Sequence, residues 1–365
     1  MDRRRILWLS KGLDQGGTES LLFDLITRPE LQNFDIDVAY VSSVHRGMRR
    51  QFEEQGIAVH DLRAHGPVDL QWLRELRRLQ RARRYDLIHA HSPLPAAAAR
   101  IVVGLRGSPP IVTTEHSLRA SHRAETRLVN RATGRFDAFT FGVSDAVTED
   151  HRTRHRPVER LYHGRAALTG YPHGPLPDLD PGCFNILVIA NLRPEKNLDL
   201  LLNAVDLAQR TAPQLRLTIA GDGVERDHLE ATTARLGLDQ AVTFLGQVPE
   251  ARVLLPSFDA LALSSRQEGL PVVVMEALQA GVPIVSTRVG GIPELVSDGE
   301  NGLLVPSDDA ESMARALVRI STEPGLQAAL ASGALAASAV VDVAPAAARY
   351  AEIYNRLLGQ QAEDA

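Results

Sequence analysis

Short apolar runs alternate with amphipathic stretches along most of the chain. "RILWLS", "DIDVAYV", "DLIHAH", "PIVTTEH" and "AFTFGVS" read as buried strands in the first half. After the Pro/Gly-rich stretch around 166–182 the pattern restarts with "FNILVIA", "LRLTIAG", "AVTFLG", "FDALALSS", "VPIVST" and "GLLVP". Strands separated by helical stretches predict parallel sheets with right-handed crossovers. The expected fold class is α/β, with two doubly wound Rossmann-like domains facing a central cleft. Expected boundaries are 1–170, a linker over 166–182, and 183–344. Near the end, Ala348, Tyr350, Ile353, Tyr354 and Leu357 recur at helical spacing. They predict a terminal helix, about 345–360, that packs back on the first domain. In sheets of this kind ligands sit at the carboxyl ends of the strands.

Composition narrows the class. The 365 residues are 44% hydrophobic and 23% charged, ordinary for a soluble globular protein of about two domains. A single cysteine, Cys183, excludes an internal disulfide and fits a reducing cytosol. "MDRRRILWLS" has too short an apolar run for a signal peptide, and no apolar run reaches the roughly 20 residues of a membrane span. Charge is uneven. Residues 1–170 carry 27 basic and 20 acidic groups, so the remainder holds the negative balance of the net −5. That asymmetry suggests different partners for the two halves. Of the 40 basic residues only Lys11 and Lys196 are lysines, and each follows the first strand of its domain.

Three stretches carry candidate chemistry. "SKGLDQGGTES" (10–20) follows the first strand. Gly16 and Gly17 allow close backbone approach by a ligand, and the helix after them favours anions. The structural alternative is a turn with Thr18 or Ser20 as the helix cap. "FNILVIANLRPEKNLDLLLNAV" places Arg193 and Lys196 in a loop after a strand. Arginine forks two phosphate oxygens and lysine acts as a mobile point charge, so together they suit a diphosphate. "SSRQEGLPVVVMEALQAGVPIVSTRVGGIPEL" (264–295) sets Glu268 and Glu276 with seven residues between them. A helix over about 271–280 should aim its free N–H groups at the ligand. A carboxylate accepts at two points from vicinal hydroxyls, so one glutamate could hold a sugar and the other a ribose. Solvated loop charges and capping glutamates are the bland alternatives.

The ordered set "GGTES", "RPEKN", "GDG", "TFLG", "EGLP…MEAL…GVPIV", "GGIPE" and "GLLVP" resembles the family 4 glycosyltransferases, which have the GT-B fold. The likeness is dense over about 184–308 and sparser toward the N-terminus. It implies transfer of a hexose-type sugar from a nucleotide-sugar donor, with retention of configuration, to a glycan or lipid-linked acceptor of a cell-surface glycan. It also implies roles for particular residues. Glu268 would hold the donor sugar's hydroxyls and Glu276 the ribose. Gly269 and Leu270 would meet the sugar or phosphates, and Lys196 would neutralise the departing diphosphate. Gly16 and Gly17 would border the phosphate and the acceptor, and His116 would approach the donor sugar. Two departures stand out. Asn191 occupies the place of the family's usual arginine, with Arg193 two residues on. His163 stands where many relatives carry asparagine.

Positive charge on the diphosphate stabilises the leaving group without a metal, so no cofactor and no metal are expected. His89 and His91 form an H-x-H with no further ligand cluster. The first half should choose the acceptor. Arg119, Arg123, Arg127, Arg131 and Arg135 recur every four residues, one face of a single helix. "LQWLRELRRLQRARRYD" is basic and amphipathic; its apolar face belongs in the core on the ordinary reading and on anionic lipid on the sharper one. The expectation is a cytoplasmic protein with peripheral contact at the inner membrane face. Nucleic acid is not expected, since no recognised binding fold accompanies the charge. A nucleotide-sugar epimerase and a non-catalytic GT-B partner subunit are the rival readings.

Overall fold

A computed structural model describes residues 3–14, 16–42, 47–64, 71–103, 109–167 and 179–363. Most of the Pro/Gly-rich linker segment, 168–178, lies outside them. The chain forms two compact units, Met1–Gly164 with Asp342–Ala365, and Arg165–Val341.

In the first unit the strands are β1 (Arg4–Ser10), β2 (Phe34–Ser42), β3 (Val59–Ala64), β4 (Leu87–Ala90), β5 (Ile111–Glu115), β6 (Phe139–Gly142) and β7 (Val158–Arg160). They form a seven-stranded sheet in the order β3-β2-β1-β4-β5-β6-β7, with every pairing parallel. The central strands are apolar on both faces because helices cover both sides. Edge strands β3 and β7 are mixed in polarity, so periodicity did not reveal them. The helices are α1 (Gly17–Ile26), α2 (Arg49–Glu54), α3 (Gln71–Arg83), α4 (Pro93–Val103), α5 (Ala124–Thr133) and α6 (Asp145–His151). Trp72 and Leu76 of α3 are buried in the core, as in the ordinary reading of that basic helix.

The single helix expected from the arginine spacing is broken. Arg119 lies in a 3-10 turn, Arg123 is the non-helical N-cap residue of α5, and Arg135 lies in a second 3-10 turn. The Arg119 N–H donates to the Asp150 carboxylate at 2.6 Å, a bond that competes with a helical one.

The second unit holds β8 (Phe184–Ile189), β9 (Leu215–Ala220), β10 (Val242–Gly246), β11 (Ala260–Leu263), β12 (Ile284–Thr287) and β13 (Gly302–Val305). Their order, β10-β9-β8-β11-β12-β13, is again parallel throughout. Its helices are α7 (Leu198–Gln209), α8 (Arg226–Leu236), α9 (Val272–Ala280), α10 (Ile292–Leu295), α11 (Ala310–Thr322) and α12 (Leu326–Ala337). The last helix, α13 (Ala344–Glu363), belongs to the first unit.

Two tyrosines of α13 enter a buried hydrogen-bond chain under the first sheet. Trp8 Nε1–H donates to the Tyr354 hydroxyl at 3.1 Å, and that hydroxyl meets His89 Nδ1. His89 Nε2 lies 2.8 Å from Thr114 Oγ1, Thr114 Oγ1 2.8 Å from the Tyr350 hydroxyl, and that hydroxyl 2.6 Å from His163 Nε2. Burial holds His89 and His163 well below the usual histidine pKa, so both are neutral. An indole can only donate. Tyr354 therefore donates to His89 Nδ1, His89 Nε2–H to Thr114, Thr114 to Tyr350, and Tyr350 to His163 Nε2. His89, His91 and His163 are thus structural groups of one unit. His91 stacks near Trp8 and His89, and neither of its ring nitrogens has a protein partner.

This cluster makes stability depend on pH. Burial lowers His89, His91 and His163 well below 6.5, and His116 and His151 to about 4. A depressed histidine contributes stability that is fully present above the unfolded pKa and lost as pH falls from about 6.5 toward the folded value. Burial raises Glu115 to about 7, and its contribution is lost as pH rises from the unfolded value through about 7. Burial also raises Asp137, which opposes in the same sense; the five histidines outweigh these two carboxyls between pH 6.5 and 4.5. Melting at pH 5 should therefore fall several degrees below melting at pH 7, and His91→Phe should narrow the gap. Thermal scans by circular dichroism check this, and an unchanged gap in the variant would remove His91 from the account.

Candidate active site

The carboxyl edge of the second sheet is built from loops that lock together. After β8, the Ala190 N–H donates to Ala220 O at 3.1 Å and the Leu192 N–H to Asp222 O at 2.9 Å. Gly221 has φ +142°, and a Cβ there would lie 1.9 Å from the Ala190 carbonyl oxygen. Only glycine permits that approach. The same device recurs after β12. Gly290 has φ +54°, and a Cβ there would stand 1.9 Å from the Glu268 carbonyl oxygen. The Gly291 N–H donates to Gly269 O at 2.8 Å. The "GDG" and "GGIPE" motifs thus shape the loops that bear the candidate ligands.

Two of those candidates meet directly. Lys196 ends a 3-10 turn, Pro194–Lys196, and its Nζ lies 2.6 Å from Glu268 Oε1. Ser265 Oγ donates to the same oxygen at 2.6 Å. The backbones are stitched as well. Ser264 Oγ donates to Lys196 O at 2.9 Å, and the Arg266 N–H donates to Glu195 O at 2.9 Å. Glu268 is nearly buried at 9% side-chain exposure and Lys196 is part-exposed at 27%. The ammonium therefore faces solvent at one end of a charge-assisted bond. Asp308 braces the rim, accepting from Asn197 Nδ2 at 3.0 Å and Arg266 Nε at 2.7 Å.

Gly269 and Leu270 lead into α9, whose N-cap is Pro271. The free N–H groups of its first turn follow the glutamate loop directly. Glu276 lies in the second turn, buried, with Oε1 3.1 Å from Arg165 Nε. Asn191 and Arg193 are exposed in the loop after β8, and among the described residues neither side chain has a hydrogen bond or ion pair. An arginine so placed is free to reach an anion at this edge. Together these groups offer two cations, two carboxylates and a helix amino end, a set suited to a ligand both anionic and rich in hydroxyls.

In the first unit, Gly16 is the N-cap of α1 and Gly17 its first residue, so neither Thr18 nor Ser20 caps it. His116 follows β5. Its Nε2 is buried without a protein partner, and its ring lies 5.4 Å from that of His163. Lys11 follows β1 and is exposed. Among the described residues one group, Asp199, Glu225 and His228, brings potential metal ligands within 4.8 Å of one another. His89 and His91 are not in it. Sequence reasoning missed Ser265, Arg165 and Gln279. The S-x-x-E spacing from Ser265 to Glu268 was a readable signal for the first; Arg165 had none, because its partner lies over a hundred residues away.

Residues 15–165 match the family model described as "Glycosyltransferase Family 4", and residues 183–323 the one described as "Glycosyl transferases group 1". The "Lipopolysaccharide core biosynthesis glycosyltransferase LpsE" of Rhizobium meliloti is 40% identical over 119 residues, 33% of this chain and 35% of that protein. A "D-inositol 3-phosphate glycosyltransferase" of Saccharomonospora viridis is 30% identical over 285 residues, 68% of this chain and 65% of that protein. The chain thus spans between about a third and two thirds of the length of these curated relatives. Among solved structures, Anabaena HepE in complex with UDP superposes with a TM-score of 0.77 at 23% identity, covering 96% of this chain and 100% of that one. HepE has also been solved with UDP-glucose. The family matches fall on both units and the structural likeness fixes the fold: the chain belongs to the family 4 glycosyltransferases, with the GT-B fold.

Proposed function

We propose that the protein moves a hexose-type sugar, with retention, from a nucleotide-sugar to a glycan or lipid-linked acceptor of a cell-surface glycan in the cytoplasm. The observation that carries this reading is the Lys196–Glu268 pair at the carboxyl edge of the second sheet, beside the amino end of α9. In the reaction the bond from the sugar's anomeric carbon to the diphosphate breaks. A new bond forms to an acceptor hydroxyl, whose proton is lost, and the nucleoside diphosphate departs as an anion. Lys196 turns from Glu268 to that anion, with Arg193 and the N–H groups near Gly269 and Leu270 adding positive potential. These charges serve the leaving group without a metal. Glu268, still held by Ser265, accepts from the sugar hydroxyls, and Glu276 accepts from the ribose. Asn191 lines the phosphate loop. In the first unit, Gly16, Gly17 and His116 are the residues for which the family resemblance implies contacts with phosphate, acceptor and sugar.

The same unit offers a surface for membrane contact. Arg100 of α4 is buried and donates to Asp137 at 2.6 and 2.7 Å and to Asn130 Oδ1 of α5 at 2.6 Å. This clamp holds α5 down by polar bonds, and none of its residues is buried. Leu94, Ile101, Leu128 and Val129 are left exposed, Leu128 at 70%. Arg123, Arg127 and Arg131 are exposed on the same helix and its cap, with Glu125 the one acidic side chain among them. Arginines beside exposed leucine and isoleucine fit an anionic bilayer surface. No single helix among the described residues is long and apolar enough to cross a membrane.

Four outcomes are expected. In a thermal-shift panel of nucleotide-sugars, at least one donor should stabilise the protein; no response to any would sink the enzyme reading. Lys196→Ala and Glu268→Ala should each lower kcat by about 10²–10³-fold with the fold retained, and full activity in both would refute the site. Gly290→Ala should weaken donor binding by displacing the Glu268 backbone, read by the loss of that thermal shift. In flotation at low salt the protein should follow vesicles containing phosphatidylglycerol, and Leu128→Asp should reduce this several-fold. Equal failure with neutral and anionic vesicles would end the membrane reading.

A further inference from the structure

Both candidate glutamates are ion-paired, but by different cations. Glu268 meets a lysine at a part-exposed site. Glu276 meets Arg165, whose side chain is 2% exposed. We infer that Arg165 is a positioning residue that fixes the Glu276 carboxylate for a ribose diol, an inference that rests on the nucleotide-sugar reading above.

α9 reads "VVVMEALQA", so Glu276 is its one charged residue and, with Gln279, one of its two polar ones. Replacing a buried ion pair by apolar side chains is often neutral or stabilising. Helix packing alone therefore gives no reason for this pair. The backbone of Arg165 is held against the same helix. Its N–H donates to Val341 O at 2.9 Å. Gln279, three residues after Glu276, donates through Nε2 to Arg165 O at 2.8 Å and to Val341 O at 3.1 Å. Arg165 and Val341 are the first and last residues of the second unit. One face of α9 thus grips both chain segments and so holds the Arg165 guanidinium in ion-pair contact with one oxygen of Glu276, a contact that is not a hydrogen bond at Nε. A planar guanidinium sets the plane of a carboxylate, whereas an ammonium only supplies charge. A two-point acceptor for vicinal hydroxyls needs a fixed plane; a cation that must turn to a leaving group needs freedom. Arginine at 165 and lysine at 196 divide those tasks.

The test is ribose discrimination, which a merely structural arginine would not change selectively. UDP, GDP and ADP, with their 2′-deoxy and 3′-deoxy counterparts, are titrated by calorimetry into wild type, Arg165→Met and Arg165→Lys. Wild type should prefer one ribonucleotide over its deoxy forms by about tenfold, roughly 1.4 kcal/mol. Arg165→Met should bring the ratio to about twofold while deoxy affinity changes little, and Arg165→Lys should fall between. An unchanged ratio, or an equal loss for ribo and deoxy forms, overturns the inference, as does a wild type that ignores the hydroxyls. Should Arg165→Met fail to fold by circular dichroism, Arg165→Lys decides: a reduced ratio supports the inference and an unchanged one overturns it. Wild type that binds no nucleoside diphosphate overturns the nucleotide-sugar reading itself.

Discussion

The site rests on a steric constraint: backbone must approach backbone more closely than a Cβ permits. At Gly221 and Gly290 a methyl group would sit 1.9 Å from a carbonyl oxygen of a neighbouring loop. The loops after β8 and β11 are thereby held by their own backbones. Hydrogen bonds from Ser264 and Arg266 then tie them to each other. Parallel sheets make this necessary. All strands end at the same edge, so every functional loop there must be positioned by its neighbours. Preorganisation in this form leaves the side chains free to carry charge.

Charge is arranged so that two similarly buried carboxylates, Glu268 at 9% and Glu276 at 11% side-chain exposure, have cations of different freedom. A carboxylate that loses water needs a partner, since an unpaired buried charge is strongly destabilising. Glu268 has lysine and serine on one oxygen, and either bond can be exchanged for a ligand hydroxyl without leaving the group bare. Glu276 has an arginine whose main chain is fixed to the same helix. Asn191 and Arg193 are less restrained than either pair, on an exposed loop with no competing partner among the described residues. The departure at Asn191 therefore leaves a cation nearby at 193.

The first unit solves a different problem. Its core contains four histidines that ordinary burial keeps neutral. The tyrosines of α13 bond to His89 and His163 and complete the chain from Trp8 to His163, while both ring nitrogens of His91 stay without a protein partner. The terminal helix is thus a polar component of that core as well as an apolar cover. Most arginines of this half lie outside, but Arg100 is buried against Asp137 to hold α5 in place, and the largely buried Arg156 side chain meets the same carboxylate.

The sequence by itself determined the two parallel sheets, because strands buried on both faces are continuous apolar runs that alternate with helical stretches. It determined the glycine loops and the E-x₇-E spacing, because these are local. It pointed to α9 and α13 within a few residues. Edge strands β3 and β7 escaped it, since a strand with one open side need not be apolar. The four-residue arginine spacing misled, because a main-chain bond to Asp150 competes with helix at Arg119 and leaves no trace in periodicity. Only the tertiary structure decided which cation meets which carboxylate: Lys196 lies 72 residues from Glu268, and Arg165 more than a hundred from Glu276. Such pairings depend on where crossovers return the chain, and charge at a distance carries no sequence period to reveal them.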